Sequence, residues 1–395
     1  MADDQARRVT WTVLGAAAGV ALLGVGAVVA ASVAVARKLV TPPARASRDG
    51  RIVDVGDGTV TLSRSVETTL PGRYGLWADD DRGYAKIGAV TAFRADAVTR
   101  ELIAVEDGVL APGQPIRIGA AYYRHPAELG VPVEDVAVRT PGGPAPAWWI
   151  PADEPGDRWA ILVHGRNATR WECIRAVPAL RAAGWQVLIV SYRNDPGAPA
   201  APDGKYALGD REWEDVDAAI GFARQRGADR VLLMGWSMGG ATVLRTLERT
   251  RYEDAIVGAI LDSAAVDWVE LIDGQLAAMR MPSPVPAVAK GMLATRIGAR
   301  LVGLLGPLPI AAMRAEEHAV GLRVPVLVLQ GDADRTTPVT AARRFAAARP
   351  SLVSIVEFAG ADHVRLWNAD PARYEAAIGD WLADSGISAV RSQRA

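Results

Sequence analysis

The first strong feature of the hydropathy pattern is an uncharged, apolar stretch from Val9 to Ala36, with Arg7-Arg8 before it and Arg37-Lys38 after it. A helix that crosses a bilayer needs about 20 mostly apolar residues, so the stretch is long enough. Basic residues at both ends and the lack of a polar face favour a membrane span over a buried helix of a globular domain. Residues 1–40 are therefore predicted to form a transmembrane anchor. A cleaved signal peptide is the main alternative, because Ala34-Val35-Ala36 has the small residues that a signal peptidase accepts.

The anchor would make this a single-pass protein of a bacterial cell membrane, with the membrane as partner of the N-terminal helix. Basic residues are more numerous after the stretch than before it, which favours a cytoplasmic C-terminal side. A signal-anchor would place the same part outside the cell, so the sequence leaves the orientation open. The abundance of Ala, Gly, Val and Arg is typical of a GC-rich bacterial genome.

Residues 41–130 show a different pattern, in which short β-like runs alternate with turn signals. After a proline-containing linker, runs such as Arg51–Val55 and Thr59–Leu62 are separated by Gly56-Asp57-Gly58, as expected of hairpins. The pattern predicts a small β-rich module. No group of residues in it suggests catalysis.

From residue 131 to residue 388, short apolar runs alternate with segments of helical periodicity. The runs that predict strands are Ala160–Val163, Val187–Val190, Val231–Met234, Ile256–Leu261 and Val324–Leu329. Fully apolar short runs are typical of parallel strands that are buried on both faces. Their alternation with helices predicts an α/β domain with a mostly parallel sheet.

Composition and charge exclude several classes of function. The formal net charge of −1 disfavours a nucleic-acid partner, which usually requires a basic surplus. A single cysteine, Cys173, leaves no intrachain disulfide and no multi-cysteine zinc site, and the four histidines are not paired at metal-ligand spacing. No glycine-rich nucleotide motif follows a predicted strand. We therefore expect neither a metal nor a cofactor.

The most informative motif is Gly235-Trp236-Ser237-Met238-Gly239, which lies between a predicted strand and a predicted helix. A sharp strand-to-helix turn strains the backbone of the serine and needs small residues on either side. The amides at the start of the following helix can stabilise a developing oxyanion. Ser237 is thus the candidate nucleophile, and an ordinary turn or N-cap serine is the alternative.

Among the four histidines, His363 is the best candidate for the general base. It lies in the loop between the last predicted strand and the final helix, where the carboxyl edge of the sheet would present it. His125 lies outside the sheet and His318 lies in a charged helical patch, so both are expected to be solvated surface residues. His164 follows an early strand and precedes Gly165.

The acid that orients the base should lie between the serine and the histidine in chain order. Asp332 and Asp334 both follow the predicted strand that ends at Leu329. Asp334 is the first choice and Asp332 the second. Either aspartate could instead terminate the strand in an ordinary turn.

Over roughly residues 133–385 the chain resembles the α/β-hydrolase family. The matching features are His164-Gly165 after an early strand, the Gly235–Gly239 motif, Gly331 and Asp334 with Pro338 downstream, and His363 in the last loop. With the anchor and the β-rich module, the chain is similar to membrane-anchored bacterial serine hydrolases of the serine-aminopeptidase-like branch. The implied architecture is an α/β-hydrolase fold with a mostly parallel sheet, a helical lid insert, a small N-terminal β module and an N-terminal transmembrane helix.

The resemblance also implies a role for each site residue. Ser237 would attack the substrate, His363 would relay its proton and Asp334 would hold the imidazole. The oxyanion hole would come from the backbone amides of Met238 and Arg166. His164 would shape the loop rather than transfer protons.

Residues 266–320 form an insert that is much longer than the usual connection between a strand and the next element. It has apolar helical periodicity and is divided into two parts by Pro282–Pro286. In the family such an insert commonly forms a lid, and the alternative is a helical layer that only packs on the sheet. An apolar lid would suit a substrate with an apolar part. Three tryptophans could line the pocket or belong to the core: Trp171, Trp236 and Trp367.

These features predict a serine hydrolase that cleaves a carboxylic ester or a peptide bond through an acyl-enzyme on Ser237. An acyltransferase that uses the same residues is one alternative. The other is a catalytically silent, membrane-tethered binding protein that keeps the fold. The sequence names neither the substrate, small molecule or peptide, nor the oligomeric state.

Overall fold

The computed structural model of the protein describes residues 24–42, 48–154 and 156–387. Residues 24–40 lie in a helix, α1. Residues 50–119 form a closed barrel of six strands. Residues 134–384 form an eight-stranded sheet with helices on both faces.

Every neighbouring pair of strands in the barrel is antiparallel, and the order around it is β1-β2-β5-β4-β3-β6. The strands are β1 (Gly50–Gly56), β2 (Thr59–Ser63), β3 (Tyr74–Ala78), β4 (Gly83–Phe93), β5 (Ala97–Asp107) and β6 (Pro115–Gly119). Buried and half-buried residues alternate along β2 and β6, because successive side chains point to opposite faces of a strand.

Arg100 lies fully buried in the barrel. Its guanidinium donates to the carbonyl oxygens of Gly88 and Gly72 at 2.6 Å, Leu70 at 2.6 Å and Thr68 at 3.1 Å. Burial lowers the pKa of Arg100 to about 10. The side chain fixes the segment from Thr68 to Gly72, which lies on the side of the barrel that meets the α/β domain.

The large sheet has the strand order β14-β13-β12-β11-β9-β10-β8-β7. Its strands are β7 (Glu134–Thr140), β8 (Gly143–Ile150), β9 (Arg158–Val163), β10 (Gln186–Val190), β11 (Arg230–Trp236), β12 (Ile256–Asp262), β13 (Val326–Gly331) and β14 (Val353–Phe358). The strands from β9 onward pair in parallel, while β7 and β8 are antiparallel to their neighbours. This agrees with the mostly parallel sheet that the apolar runs predict.

Helices cover both faces of this sheet. The helices of this domain are α2 (Val177–Ala182), α3 (Trp213–Gln225), α4 (Met238–Arg249), α5 (Trp268–Ala278), α6 (Pro284–Ala294), α7 (Arg296–Val302), α8 (Ala315–Val320), α9 (Val339–Ala348), α10 (Leu366–Ala369) and α11 (Pro371–Asp384). Apolar residues of α3, α4 and α9 pack on one face, and those of α2 and α11 pack on the other. Two hydrophobic cores therefore enclose the central strands.

The insert between β12 and β13 consists of α5, α6, α7 and α8. The prediction of two helical parts is wrong in number. The chain breaks before Pro284, as its prolines suggest, but it breaks again at Thr295 and at Gly303, where φ is +93°. Glycine adopts this left-handed conformation without the steric cost that other residues have.

Helix α1 packs on the α/β domain. Ala36 and Val40 are fully buried, and the hydroxyl of Ser32 donates to the carbonyl oxygen of Val285 on α6 at 3.3 Å. Arg37 donates to the carbonyl oxygen of Leu301 on α7 at 2.7 Å. Apolar residues of the N-terminal segment are therefore buried against protein.

This finding corrects the prediction of a membrane anchor. Within residues 24–42, 48–154 and 156–387, no helix is both long enough and apolar enough to cross a membrane. The predicted single-pass location in a cell membrane is therefore wrong. Residues 1–23 of the predicted anchor lie outside the described residues. Hydropathy alone does not distinguish a helix that packs on a protein from one that packs in lipid, which explains the error.

Candidate active site

Ser237 lies in the sharp turn between β11 and α4. Its backbone has φ +50° and ψ −116°, a strained conformation for a residue with a side chain. The turn requires the flanking glycines. A Cβ atom on Gly235 would lie 2.4 Å from the carbonyl oxygen of Gly239, and one on Gly239 would lie 2.1 Å from that of Val163. The turn presents the hydroxyl of Ser237 at the carboxyl end of the sheet, which suits a nucleophile.

His363 and Asp334 lie next to Ser237, although they come from different loops. The Nε2 atom of His363 is 3.0 Å from the Oγ atom of Ser237, and its Nδ1 atom is 2.9 Å from Oδ2 of Asp334. Ser237 follows β11, Asp334 follows β13 and His363 follows β14. Because parallel strands end at the same edge of a sheet, residues far apart in sequence meet there.

The two candidate aspartates lie in different surroundings. The side chain of Asp334 is fully buried, and its Oδ1 atom accepts hydrogen bonds from the amides of Thr336 and Thr337, each at 2.8 Å. Asp332 is exposed and accepts a hydrogen bond from the amide of Gly360 at 2.7 Å. The structure thus brings Asp334, and not Asp332, to the imidazole of His363.

The loop after β9 faces Ser237 from the other side. A Cβ atom on Gly165 would lie 3.1 Å from the Cβ atom of Ser237. The amide of Gly165 donates to the carboxylate of Glu172 at 2.6 Å, so it is already occupied. The next amide in this loop is that of Arg166. Across the site, Met238 is the first residue of α4, where backbone amides have no acceptor within the helix.

His164 lies fully buried beneath this loop. Its Nε2 atom is 2.7 Å from Oδ2 of Asp195 and its Nδ1 atom is 2.9 Å from the carbonyl oxygen of Gly165. Burial alone would lower the pKa of His164, but the charge and hydrogen bond of Asp195 outweigh burial and raise it above its ordinary value. The hydroxyl of Tyr192 donates to the same carbonyl oxygen of Gly165 at 3.0 Å. These contacts fix the position of the loop.

Comparison with known families and structures identifies the family of the chain. A family model described as the alpha/beta hydrolase family matches residues 160–377, which is more than half of the chain. The chain belongs to the alpha/beta hydrolase family. The predicted family is therefore confirmed and, at the level of the family, so is the prediction of a hydrolase enzyme. Residues 51–119, in the barrel, match a second family, described as a domain of unknown function.

Solved structures and curated proteins with similarity to this hydrolase include esterases. The esterase Pf2001 of Pyrococcus furiosus, in two crystal forms, has TM-scores of 0.51 and 0.50 at 20% and 19% identity. The match covers 67% of this chain and 95% or 96% of that one. "Probable esterase PIR7A" from two subspecies of Oryza sativa is 28% identical over 113 residues, 29% of this chain. The chain thus spans 41% of the length of these rice relatives.

Sequence reasoning missed the residues that hold the three loops of this hydrolase together. Ser263 follows β12 and has φ +48°. Its Oγ atom donates to Asp262 at 2.9 Å and accepts a hydrogen bond from the amide of Val364 at 3.1 Å. The carbonyl oxygen of Asp262 accepts a hydrogen bond from the amide of Ser237 at 3.0 Å. Asp262 and Ser263 therefore contact both the nucleophile turn and the histidine loop.

Thr337 connects Ser263 to the loop after β13 that carries Asp334, here called the acid loop. Its Oγ1 atom lies 2.7 Å from Oδ2 of Asp334 and 3.2 Å from the carbonyl oxygen of Ser263. The sequence signal for Ser263 was weak, because a serine after a buried strand is common in turns. Only its positive φ, which a sequence does not display, marks the position.

The barrel of the hydrolase contacts the histidine loop through charged residues. The carboxylate of Glu67 pairs with Arg365 at 2.5 Å and with Arg335 at 3.3 Å. Arg335 also pairs with Asp362, whose Oδ1 atom accepts a hydrogen bond from the amide of His363 at 2.8 Å. Burial would raise the pKa of Asp362, but its hydrogen bonds with Arg335 and with backbone amides lower it below its ordinary value.

Two histidines lie elsewhere, and one prediction for them is wrong. His318 is buried, and its Nδ1 atom lies 2.5 Å from the carboxylate of Glu248, because it lies on the face of α8 that packs against the domain. His125 is half-buried at the start of a short 3-10 helix, where its Nδ1 atom accepts a hydrogen bond from the amide of Ala127 at 3.2 Å.

The three tryptophans near the site are packing residues. Trp236 and Trp367 are buried in the core on the α2 and α11 face. Trp171 stacks on Trp77 of the barrel, with ring centroids 6.5 Å apart.

A groove of about 540 Å³ lies between α2 and α11. Its lining residues are Pro178, Ala179, Ala182, Ala183, Glu375, Gly379, Leu382 and Ala383. None of these residues belongs to the loops that carry Ser237, Asp334 or His363, or to the loop after β9 that faces them. The size of the groove therefore says nothing about the candidate active site.

Proposed function

We propose that this hydrolase cleaves carboxylic esters through an acyl-enzyme on Ser237. The observation that carries the proposal is the continuous contact from Ser237 Oγ to His363 Nε2 at 3.0 Å and from His363 Nδ1 to Asp334 at 2.9 Å. An unassisted serine hydroxyl is a weak nucleophile, and an imidazole at this distance can accept its proton as the hydroxyl attacks. The esterases among the similar proteins support an ester over a peptide bond.

The chemistry of acylation follows from the geometry. The Oγ atom of Ser237 forms a bond to the ester carbonyl carbon while Nε2 of His363 takes the hydroxyl proton. The imidazolium that forms is stabilised by the buried carboxylate of Asp334, and it then gives the proton to the departing alkoxide. The acyl group remains on Ser237 as the alcohol leaves.

Deacylation repeats the sequence with water. His363 takes a proton from a water molecule, whose oxygen attacks the acyl carbon, and then returns the proton to Ser237 Oγ as the acid is released. In both steps the carbonyl oxygen becomes negative. We assign its stabilisation to the amides of Met238 and Arg166, because α4 points its N-terminus at the site and the amide of Gly165 is bound to Glu172.

We further propose that helices α5 to α8 form a lid on this site. Gly274 of α5 lies against Pro338 of the acid loop, since a Cβ atom on Gly274 would be 3.9 Å from the Cγ atom of Pro338. The insert thus starts from β12 beside Ser263 and contacts Pro338, at the end of the loop that carries Asp334. A lid in this position would keep water away from the reacting ester.

The test is the hydrolysis of p-nitrophenyl acetate and butyrate by the full chain and by two serine variants. We expect turnover by the wild type, no turnover above background by Ser237→Ala, and wild-type turnover by Ser354→Ala, whose serine is exposed on β14. Equal rates for Ser237→Ala and the wild type would overturn the proposal.

A further inference from the structure

A small cavity lies between α1, α5 and the loop that follows β9. It has a volume of about 70 Å³. Helix α1 contributes Val35, Lys38 and Leu39 to its wall, and the loop contributes Arg166. The rest of the wall belongs to α5 and the residue after it: Ile272, Gln275, Leu276 and Met279. Most of these side chains are apolar, so the cavity favours an apolar group.

Through Arg166, the cavity reaches the loop that faces the nucleophile. Arg166 follows Gly165, which packs against Ser237 so closely that an added Cβ atom would lie 3.1 Å from the serine Cβ. Helix α5, which forms another wall, contacts Pro338 through Gly274. The cavity therefore begins one residue along the chain from the glycine that faces Ser237, and one of its walls is the helix that contacts Pro338.

Helix α1 is fixed as a wall of this cavity by its C-terminal end. The guanidinium of Arg166 donates to the carbonyl oxygens of Lys38 and Leu39 at 3.3 and 3.2 Å. A cation at this position satisfies the last carbonyl groups of a helix and interacts favourably with the helix dipole. The amide of Tyr206 donates to the carbonyl oxygen of Val40 at 2.7 Å. The loop after β9, which carries Arg166, and the N-terminal helix α1 are thus joined directly.

We propose that α1 forms the outer wall of the acyl-binding pocket of this hydrolase and limits it to short, unbranched acyl chains. The inference rests on the proposed ester hydrolysis. A cavity of about 150 Å³ in a protein core holds a benzene molecule. A volume of about half that size corresponds to roughly two to four acyl carbon atoms. The substrates are then esters of acids from acetic to butyric acid.

The experiment measures kcat/KM of the full chain for p-nitrophenyl esters with acyl chains of 2, 4, 6, 8 and 12 carbon atoms. We expect the wild type to prefer the two shortest esters. Leu39→Ala on α1 and Met279→Ala after α5 enlarge the cavity from opposite walls. Each should raise the ratio of kcat/KM for the hexanoate to kcat/KM for the acetate by about tenfold or more. This is the size of effect expected when an apolar pocket binds or excludes one more methylene group. Val35→Phe fills the cavity and should lower the ratio of kcat/KM for the butyrate to kcat/KM for the acetate by a similar factor.

A matched control and the labelling of Ser237 separate the outcomes. Val29→Ala changes an apolar residue of the same helix that does not line the cavity, so its chain-length profile should equal that of the wild type. If all three cavity variants hydrolyse esters with the wild-type profile, the pocket assignment is overturned while the proposed function stands. If the wild type cleaves no ester and Ser237 takes no fluorophosphonate label, both proposals fail. The two enlarging variants lie on different elements, so unfolding of one does not remove the test.

Discussion

The hydroxyl of Ser263 accepts a hydrogen bond from the amide of Val364 at 3.1 Å, which ties the end of β12 to the residue after His363. Because the carbonyl oxygen of the same serine lies 3.2 Å from Thr337 Oγ1, a single buried residue contacts both the histidine loop and the acid loop. Catalysis by a serine hydrolase depends on the alignment of its three catalytic side chains to within fractions of an ångström. Ser263 is therefore a positioning residue in the proposed mechanism.

Ser263→Ala should lower kcat by roughly 10- to 100-fold, because a small displacement of His363 weakens proton transfer. KM should change little, since Ser263 is fully buried. The measurement is steady-state kinetics on p-nitrophenyl butyrate with the melting temperature as a check on folding. A variant with wild-type kcat would show that the contact has no part in alignment.

Asp334→Asn should lower kcat on the order of 10³- to 10⁴-fold, because an amide stabilises the wrong tautomer of the imidazole and does not balance its positive charge. Asp332→Asn is the matched control, since Asp332 is exposed and contacts Gly360 rather than His363. Its kcat should stay near that of the wild type. A larger loss for Asp332→Asn than for Asp334→Asn would reverse the assignment of the acid.

The sequence sufficed for the residues whose position follows from a local rule. The turn around Ser237 is predictable because it leaves no room for side chains at positions 235 and 239, so both must be glycine. The sequence shows these two glycines between a predicted strand and a predicted helix. His363 and Asp334 follow from chain order and from the edge at which parallel strands end. The choice between Asp334 and Asp332 needed the structure, because both occupy the same turn.

Other features depend on which surfaces meet in three dimensions. The apolar residues of α1 could pack against lipid or against protein, so no sequence pattern identifies Val285 and Leu301 as neighbours of this helix. His318 belongs to a charged segment and yet lies buried against Glu248. The contact of Glu67 with Arg365 joins residues that are far apart in the chain, and no motif marks either one.

Arg100→Met should destabilise the barrel by about 3 to 5 kcal/mol, because four buried or partly buried carbonyl groups would lose their donor. Hydrogen exchange of the amides in residues 50–119 measures the effect, with faster exchange expected along β2, β4 and β5. Arg94→Met changes an exposed arginine of the same barrel and serves as the control. Unchanged exchange in Arg100→Met would contradict the role assigned to the buried guanidinium.

The pair of His164 and Asp195 predicts a pH-dependent contribution to stability. The pKa of His164 is raised in the folded state, so the folded protein holds the proton more tightly than the unfolded chain does. This contribution is complete below the ordinary pKa of 6.5 and is lost as the pH rises through the higher pKa of the folded state. The melting temperature of the wild type should therefore exceed that of His164→Gln most at low pH, with a difference that shrinks towards pH 9.

Asp195→Asn is the partner test for the same pair, because it removes the carboxylate that raises the pKa of His164. In the wild type, the loss of the stabilisation by His164 lowers the melting temperature between pH 6 and 9. This decline should disappear in Asp195→Asn. A difference between the wild type and His164→Gln that grows with pH would show that His164 is neutral in the folded protein.

The most direct test of the proposed mechanism is the covalent labelling of the full chain by a fluorophosphonate probe, mapped by mass spectrometry of its peptides. The hydroxyl of Ser237 attacks the phosphorus atom and displaces fluoride only if His363 and Asp334 activate it. We expect one adduct, on Ser237, that is absent from Ser237→Ala and strongly slowed in His363→Ala. An adduct on another serine, or equal labelling of Ser237→Ala, would contradict the assignment of Ser237 as the nucleophile.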